Sequence, residues 1–108
     1  MITRITPREA EALLAREDLD VVDVRDPGDW AAGHIPRARS LPLGEITANP
    51  RGALSRDGVI FVCARGVRSL TAARAAEAAG FERLYSVDGG TIGWRGEDLP
   101  LVNEGGGI

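Results

Sequence analysis

Short apolar runs alternate with amphipathic stretches along this chain, and Gly, Pro, Asp or Asn separates most of them. Ile2–Ile5 alternates apolar and polar positions, the pattern of a short edge strand. Thr6-Pro7-Arg8-Glu9 predicts a helix start: Thr6 as N-cap, Pro7 at the first helical position, Glu9 closing a capping box. That helix buries Ala10, Leu13 and Leu14 and ends near Arg16. Residues 19–24 predict a second strand with Val21, Val22 and Val24 apolar, broken by Asp26-Pro27-Gly28-Asp29. Asp29 is read as the cap of a one-turn helix over 30–32, ended by Gly33. A third short strand is expected over 38–41 and is stopped by Pro42. Leu43–Ala48 predicts a brief helix, followed by a loop through Asn49-Pro50-Arg51-Gly52.

Residues 59–63, Val-Ile-Phe-Val-Cys, are apolar without interruption, as a strand covered on both faces would be. Residues 69–79 are alanine-rich and predict the best helix of the chain, closed by Gly80. Leu84–Val87 is the last core strand, and Asp88-Gly89-Gly90 turns into a short helix holding Ile92 and Trp94. Strands alternating with helices at this spacing predict an α/β domain with a mostly parallel sheet. Residues 1–102 are expected to form that one domain and residues 103–108 a loose glycine-rich tail or a flexible contact segment.

Composition narrows the function. The chain has 108 residues, net charge −3, and no basic stripe of the kind that nucleic-acid binders carry. No apolar run reaches the roughly 18 residues of a membrane span, and no apolar leader follows Met1, so a cytoplasmic location is expected. One Cys and one His exclude an internal disulfide and an ordinary zinc site, so neither metal nor cofactor is expected. The lone Cys63 sits at the end of the predicted strand, where the active sites of such sheets lie. Behind it, Ala64-Arg65-Gly66-Val67-Arg68-Ser69 leads into a helix. Inward-pointing amides and a helix N-terminus there make an anion cradle that also lowers a thiol pKa.

Three segments, in this order, resemble the rhodanese family of sulfurtransferase domains. Asp23-Val24-Arg25, Asp29-Trp30 and Gly33-His34-Ile35-Pro36-Arg37-Ala38 are similar to the first family signature, with Arg37 where Gly is common and Asp29 where Glu is common. Cys63-Ala64-Arg65-Gly66-Val67-Arg68-Ser69 resembles the active loop, and Gly89-Gly90 with Trp94 the closing signature. The resemblance implies a five-stranded parallel sheet flanked by helices on both faces. It also implies a persulfide mechanism: Cys63 takes sulfur from an anionic donor such as thiosulfate. It then passes that sulfur to cyanide, a small thiol or a protein thiol. A protein persulfide is as plausible a donor as thiosulfate.

Residue by residue, Cys63 is expected to be the nucleophile and Ala64, Arg65, Gly66, Val67, Arg68 and Ser69 the substrate-binding loop. Arg65 and Arg68 are read as rim cations facing an anion, against the alternative of solvated surface charges. Gly66 meets a backbone need, either positive φ or close ligand approach. Ser69 is read as an N-cap, a donor to sulfur, or both. Asp23 is expected to be a structural acceptor for Arg25 or for a loop amide, and His34 to be structural rather than a base. Two other functions compete. A Cys-dependent phosphatase or arsenate reductase would use a Cys-x5-Arg loop, whereas Cys63 to Arg68 is Cys-x4-Arg. A non-catalytic binding module of the same fold commonly lacks the cysteine.

Overall fold

A computed structural model describes residues 1–103. The expected tail over 103–108 therefore lies, apart from Asn103, outside the described residues.

The capping box at Thr6 forms as the sequence requires. Thr6 Oγ1 accepts from the Glu9 amide at 3.1 Å, and the Thr6 amide donates to Glu9 Oε1 at 2.8 Å. It starts α1 (Pro7–Arg16), which follows β1 (Ile2–Ile5). Then come β2 (Asp20–Asp23), α2 (Pro27–Ala32), β3 (Arg39–Ser40), α3 (Leu43–Ala48) and α4 (Pro50–Ala53). β4 (Val59–Val62), α5 (Val67–Ala78), β5 (Leu84–Val87) and α6 (Gly90–Gly96) follow.

Five strands form one sheet in the order β1-β5-β4-β2-β3, and every pair is parallel rather than mostly so. Side chains alternate faces along β4. Ile60 and Val62 join Leu13, Leu14 and Trp94 on one side, while Val59, Phe61 and Cys63 join Ile46, Ala72 and Ala76 on the other. Helices thus cover both faces, α1 and α6 on the first, α3 and α5 on the second. The small Ala72, Ala73 and Ala76, all fully buried, let α5 lie close on the sheet.

After β2 the chain moves toward β3 at one edge, and after β4 it moves toward β5 on the other side. The carboxyl ends of β2 and β4 therefore flank the topological switch point, where ligands bind in sheets of this kind. Cys63 follows β4 there, and Arg25 follows β2.

Three local expectations are corrected. The N-cap position of α2 is Asp26, not Asp29, and its side chain makes no capping bond: Pro27 fixes the first helical φ, so the helix begins earlier and Asp29 lies in its first turn. Asn49-Pro50-Arg51-Gly52 is not a plain loop, because Asn49 Oδ1 accepts from the Gly52 amide at 3.2 Å and starts α4. The long helix begins at Val67 rather than at residue 69, with Gly66 as its N-cap. Ser69 is accordingly the third residue of the helix, fully buried, and Arg68 belongs to the first turn.

Candidate active site

Strand β4 is apolar throughout and carries Cys63 to its carboxyl end, only 2% exposed. The chain must then reverse into α5 within three residues, and Gly66 makes this possible with φ +95°. A Cβ at Gly66 would also meet Gly89 N at 3.1 Å and Val87 O at 3.2 Å, so the position needs glycine twice over.

This reversal turns the Gly66 amide onto the sulfur, donating to Cys63 Sγ at 3.0 Å. From the first turn of α5, Ser69 brings its hydroxyl to 3.5 Å from the same atom. Burial, the largest influence on the thiol, pushes its pKa up. The Ser69 hydroxyl and the amides of Ser69, Arg65 and Gly66 together outweigh it, and the net pKa lies below the ordinary thiol value.

Ser86, on β5, was not singled out from the sequence. Its hydroxyl lies 2.8 Å from Ser69 Oγ, and both residues are buried. A hydroxyl has one proton, so when Ser69 donates to a thiolate, Ser86 is left to donate to Ser69. The available signal was a polar residue within the apolar run of β5, on the face shared with Cys63.

The loop is fixed from behind by α6. Thr91 N donates to Cys63 O at 2.8 Å and Ile92 N to Ala64 O at 3.1 Å. Gly90, with φ +56°, lies so close that a Cβ would stand 2.2 Å from Cys63 O.

Asp23 and Arg25 form a buried bidentate pair with Nη2–Oδ2 at 2.8 Å, and the Arg25 amide also donates to Asp23 Oδ1 at 3.0 Å. Arg25 Nη2 reaches Gly33 O at 2.7 Å, tying the end of β2 to the turn after α2. Both acceptor roles weighed for Asp23 are therefore present at once. His34 stacks on Trp30 with centroids 4.2 Å apart, and its Nδ1 lies 2.7 Å from Trp30 O, so that nitrogen carries a proton.

Arg65, Val67 and Arg68 are exposed, Val67 to 73%, and Arg68 lines neither of the clefts beside the loop. Arg65 lines a groove of about 360 Å³ with Gly66 and Val67, and Ala64 borders a cleft of about 290 Å³ together with Arg25. A recessed thiol whose pKa is lowered and whose sulfur meets the Gly66 amide and the Ser69 hydroxyl is suited to attack a small electrophile as the thiolate and to hold the anion that follows.

The family model of the rhodanese-like domain matches residues 6–97. The chain belongs to the rhodanese-like domain family. It is 41% identical over 92 residues to the thiosulfate sulfurtransferase GlpE of Pseudomonas putida strain F1, covering 85% of this chain and 84% of that one. It is 40% identical over 101 residues to the uncharacterized protein YibN of Escherichia coli K12, covering 91% of this chain and 71% of that one. A solved structure from Rhodopseudomonas palustris CGA009 is of a protein of unknown function described as a possible tyrosine phosphatase. It aligns with TM-score 0.78 at 28% identity, over 93% of this chain and 84% of that one. Among the described residues of the present chain, no helix is long and apolar enough to cross a membrane.

One departure from the family signature falls on a left-handed backbone, which favours glycine. Arg37, standing where Gly is common, has φ +74°. Its guanidinium donates to Leu14 O, a contact to α1 that a glycine would lack.

Proposed function

We propose that this rhodanese-like domain is a sulfurtransferase that carries sulfane sulfur as a Cys63 persulfide. The observation that carries the reading is the donor set on one sulfur atom: the Gly66 amide at 3.0 Å and Ser69 Oγ at 3.5 Å, in a recess at the switch point of the sheet. The Cys63 thiolate attacks the outer sulfur of thiosulfate. The S–S bond breaks and sulfite leaves with the electron pair. The resulting persulfide anion sits among the same amides. An acceptor then attacks the outer sulfur, and Cys63 leaves as thiolate. With cyanide the product is thiocyanate. With a thiolate it is a new persulfide, on a small molecule or on a protein.

The donor set suits both halves, since the attacking thiolate and the persulfide anion each carry negative charge at or next to Sγ. Arg65, exposed and lining the groove with Gly66, and Arg68, exposed in the first turn of α5, would favour an anionic donor. The Ser69 hydroxyl and the loop amides that lower the thiol pKa favour the thiolate, the attacking form. A cytoplasmic setting, which keeps a lone thiol reduced, fits this chemistry.

The loop argues against the phosphatase reading, for which the Rhodopseudomonas structure speaks. Four residues separate Cys63 from Arg68, and the nucleophile is 2% exposed. A narrow sulfur species fits such a recess better than a tetrahedral phosphate with its ester group.

The test is intact mass after mixing with thiosulfate. The expected result is a gain of one sulfur atom, removed by cyanide and absent in Cys63→Ser. Turnover of a small aryl phosphate with no mass gain from thiosulfate would overturn the proposal in favour of phosphate chemistry.

A further inference from the structure

Two buried hydroxyls in series end on the reacting sulfur. Ser69 Oγ lies 3.5 Å from Cys63 Sγ, and Ser86 Oγ lies 2.8 Å from Ser69 Oγ. The two serines come from different elements, Ser69 from the first turn of α5 and Ser86 from β5. Ser86 shares a sheet face with Leu84, two residues earlier, and Leu84 packs in the cluster that holds Cys63, Ala72 and Ala76. Ser69 is 0% and Ser86 1% exposed, so bulk water supplies neither with a partner. Among the described residues, Ser69 Oγ is the one hydrogen-bond partner of Ser86 Oγ. A polar group this deeply buried is costly unless it is bonded, and an apolar side chain would fill the same place in the strand without that cost.

Each hydroxyl carries one proton, and this sets the order of the bonds. Beside a neutral thiol, the S–H donates to Ser69 and Ser69 donates to Ser86. Beside the thiolate the row runs backwards: Ser86 donates to Ser69, and Ser69 donates to the sulfur. Rotation of two O–H bonds converts one order into the other, with no movement of heavy atoms. Burial raises the Cys63 thiol pKa, and the Ser69 hydroxyl is foremost among the groups that bring it down. Without Ser86, Ser69 would face the thiolate with an unmatched lone pair. Its bond to sulfur would also lose the polarisation that a second donor gives.

We infer that Ser86 is a positioning residue for the reacting sulfur: with Ser69 it forms a two-hydroxyl relay that reverses direction with the charge on Cys63 Sγ. The inference rests on the sulfurtransferase reading for the step it serves. In that reaction Sγ is anionic twice in one turnover, as the attacking thiolate and again as the departing one. The relay presents a donor on both occasions and an acceptor when the thiol is neutral.

The test compares Ser86→Ala, Ser69→Ala and the double variant. Iodoacetamide alkylation is followed across pH, and the rate of mass gain is measured with thiosulfate. At a pH below the wild-type midpoint, Ser86→Ala should alkylate about twofold to tenfold more slowly, the range for one net hydrogen bond. Its midpoint should move up, less far than that of Ser69→Ala. In the Ser69→Ala background, Ser86→Ala should move the midpoint no further, since Ser86 reaches the sulfur only through Ser69. A cavity or a loosened sheet would lower stability in urea without that dependence on Ser69. Loading from thiosulfate should slow by a similar factor at the same pH, and the deficit should shrink as pH rises above the variant's midpoint. An unchanged midpoint in Ser86→Ala, or an equal shift with and without the Ser69 hydroxyl, overturns the inference. If wild type gains no sulfur from thiosulfate, the sulfurtransferase reading has failed instead, and the alkylation comparison still decides the relay.

Discussion

Gly90 gives the sharpest test of how the active loop is held. It starts α6 at φ +56°, and an added Cβ would stand 2.2 Å from Cys63 O and 2.5 Å from the Ala64 carbonyl carbon. Real Cβ atoms do not approach within 3.0 Å, so Gly90→Ala must move the loop or α6 by roughly 0.8 Å. The obstacle is backbone, with no side chain to rotate away. Two hydrogen bonds cross that interface, Thr91 N to Cys63 O and Ile92 N to Ala64 O. Each contributes about 0.5–1.5 kcal/mol net. The left-handed φ costs alanine a further 1–2 kcal/mol or so. The expected loss is therefore about 2–5 kcal/mol, a large share of the roughly 5–15 kcal/mol that holds a domain of this size.

The same shift moves Cys63 relative to the Gly66 amide. Gly90→Ala should alkylate with iodoacetamide more slowly at neutral pH under conditions where it remains folded. Gly96 lies in the same helix, where an added Cβ would meet nothing within 4 Å, and is the control. Gly96→Ala should be neutral or more stable, by up to about 1 kcal/mol from helix propensity. Urea denaturation and alkylation rates measure both effects. A Gly90→Ala protein as stable as wild type, with an unchanged alkylation rate, would refute the reasoning.

Two further outcomes follow from the site and its turn. Ser69→Ala removes the strongest of the influences lowering the Cys63 pKa, so its alkylation profile should shift to higher pH. The wild-type pKa is depressed, so the thiolate contributes stability above the unfolded value of about 8.5 and loses it as pH falls through the folded value. Stability measured by urea across that window should rise with pH in wild type, less in Ser69→Ala, and not at all from this source in Cys63→Ser. At Arg37, alanine loses the bond to Leu14 O but keeps the left-handed backbone, whereas glycine loses the bond and sheds the strain. Arg37→Gly should therefore be more stable than Arg37→Ala by about 1–2 kcal/mol in the same denaturation assay; equal stabilities would show that φ at this position carries no cost.

What the sequence made legible is what local rules control. The Thr6 box, the uninterrupted apolar β4 and the order of strands and helices all follow from spacing within a few residues. So does the place of Cys63, because a buried parallel strand must release its chain at the carboxyl edge. The errors lie where one backbone angle resets a boundary. Gly66 at φ +95° lets α5 start at Val67, and this carries Ser69 from the cap position into the helix, where its hydroxyl faces the sulfur. Which distant residues meet is not fixed by local spacing. Ser69 and Ser86 meet across 17 residues, and Arg37 reaches Leu14 across 23. The groove beside α5 belongs to the same class, since it exists only because β1 and the turn after β5 stand opposite one helical face. Spacing along α5 places Val67, Leu70 and Arg74 together, but the wall that makes them a groove is a property of the sheet order. The place of Cys63 is thus set by short-range rules, while the clefts beside it are set by topology.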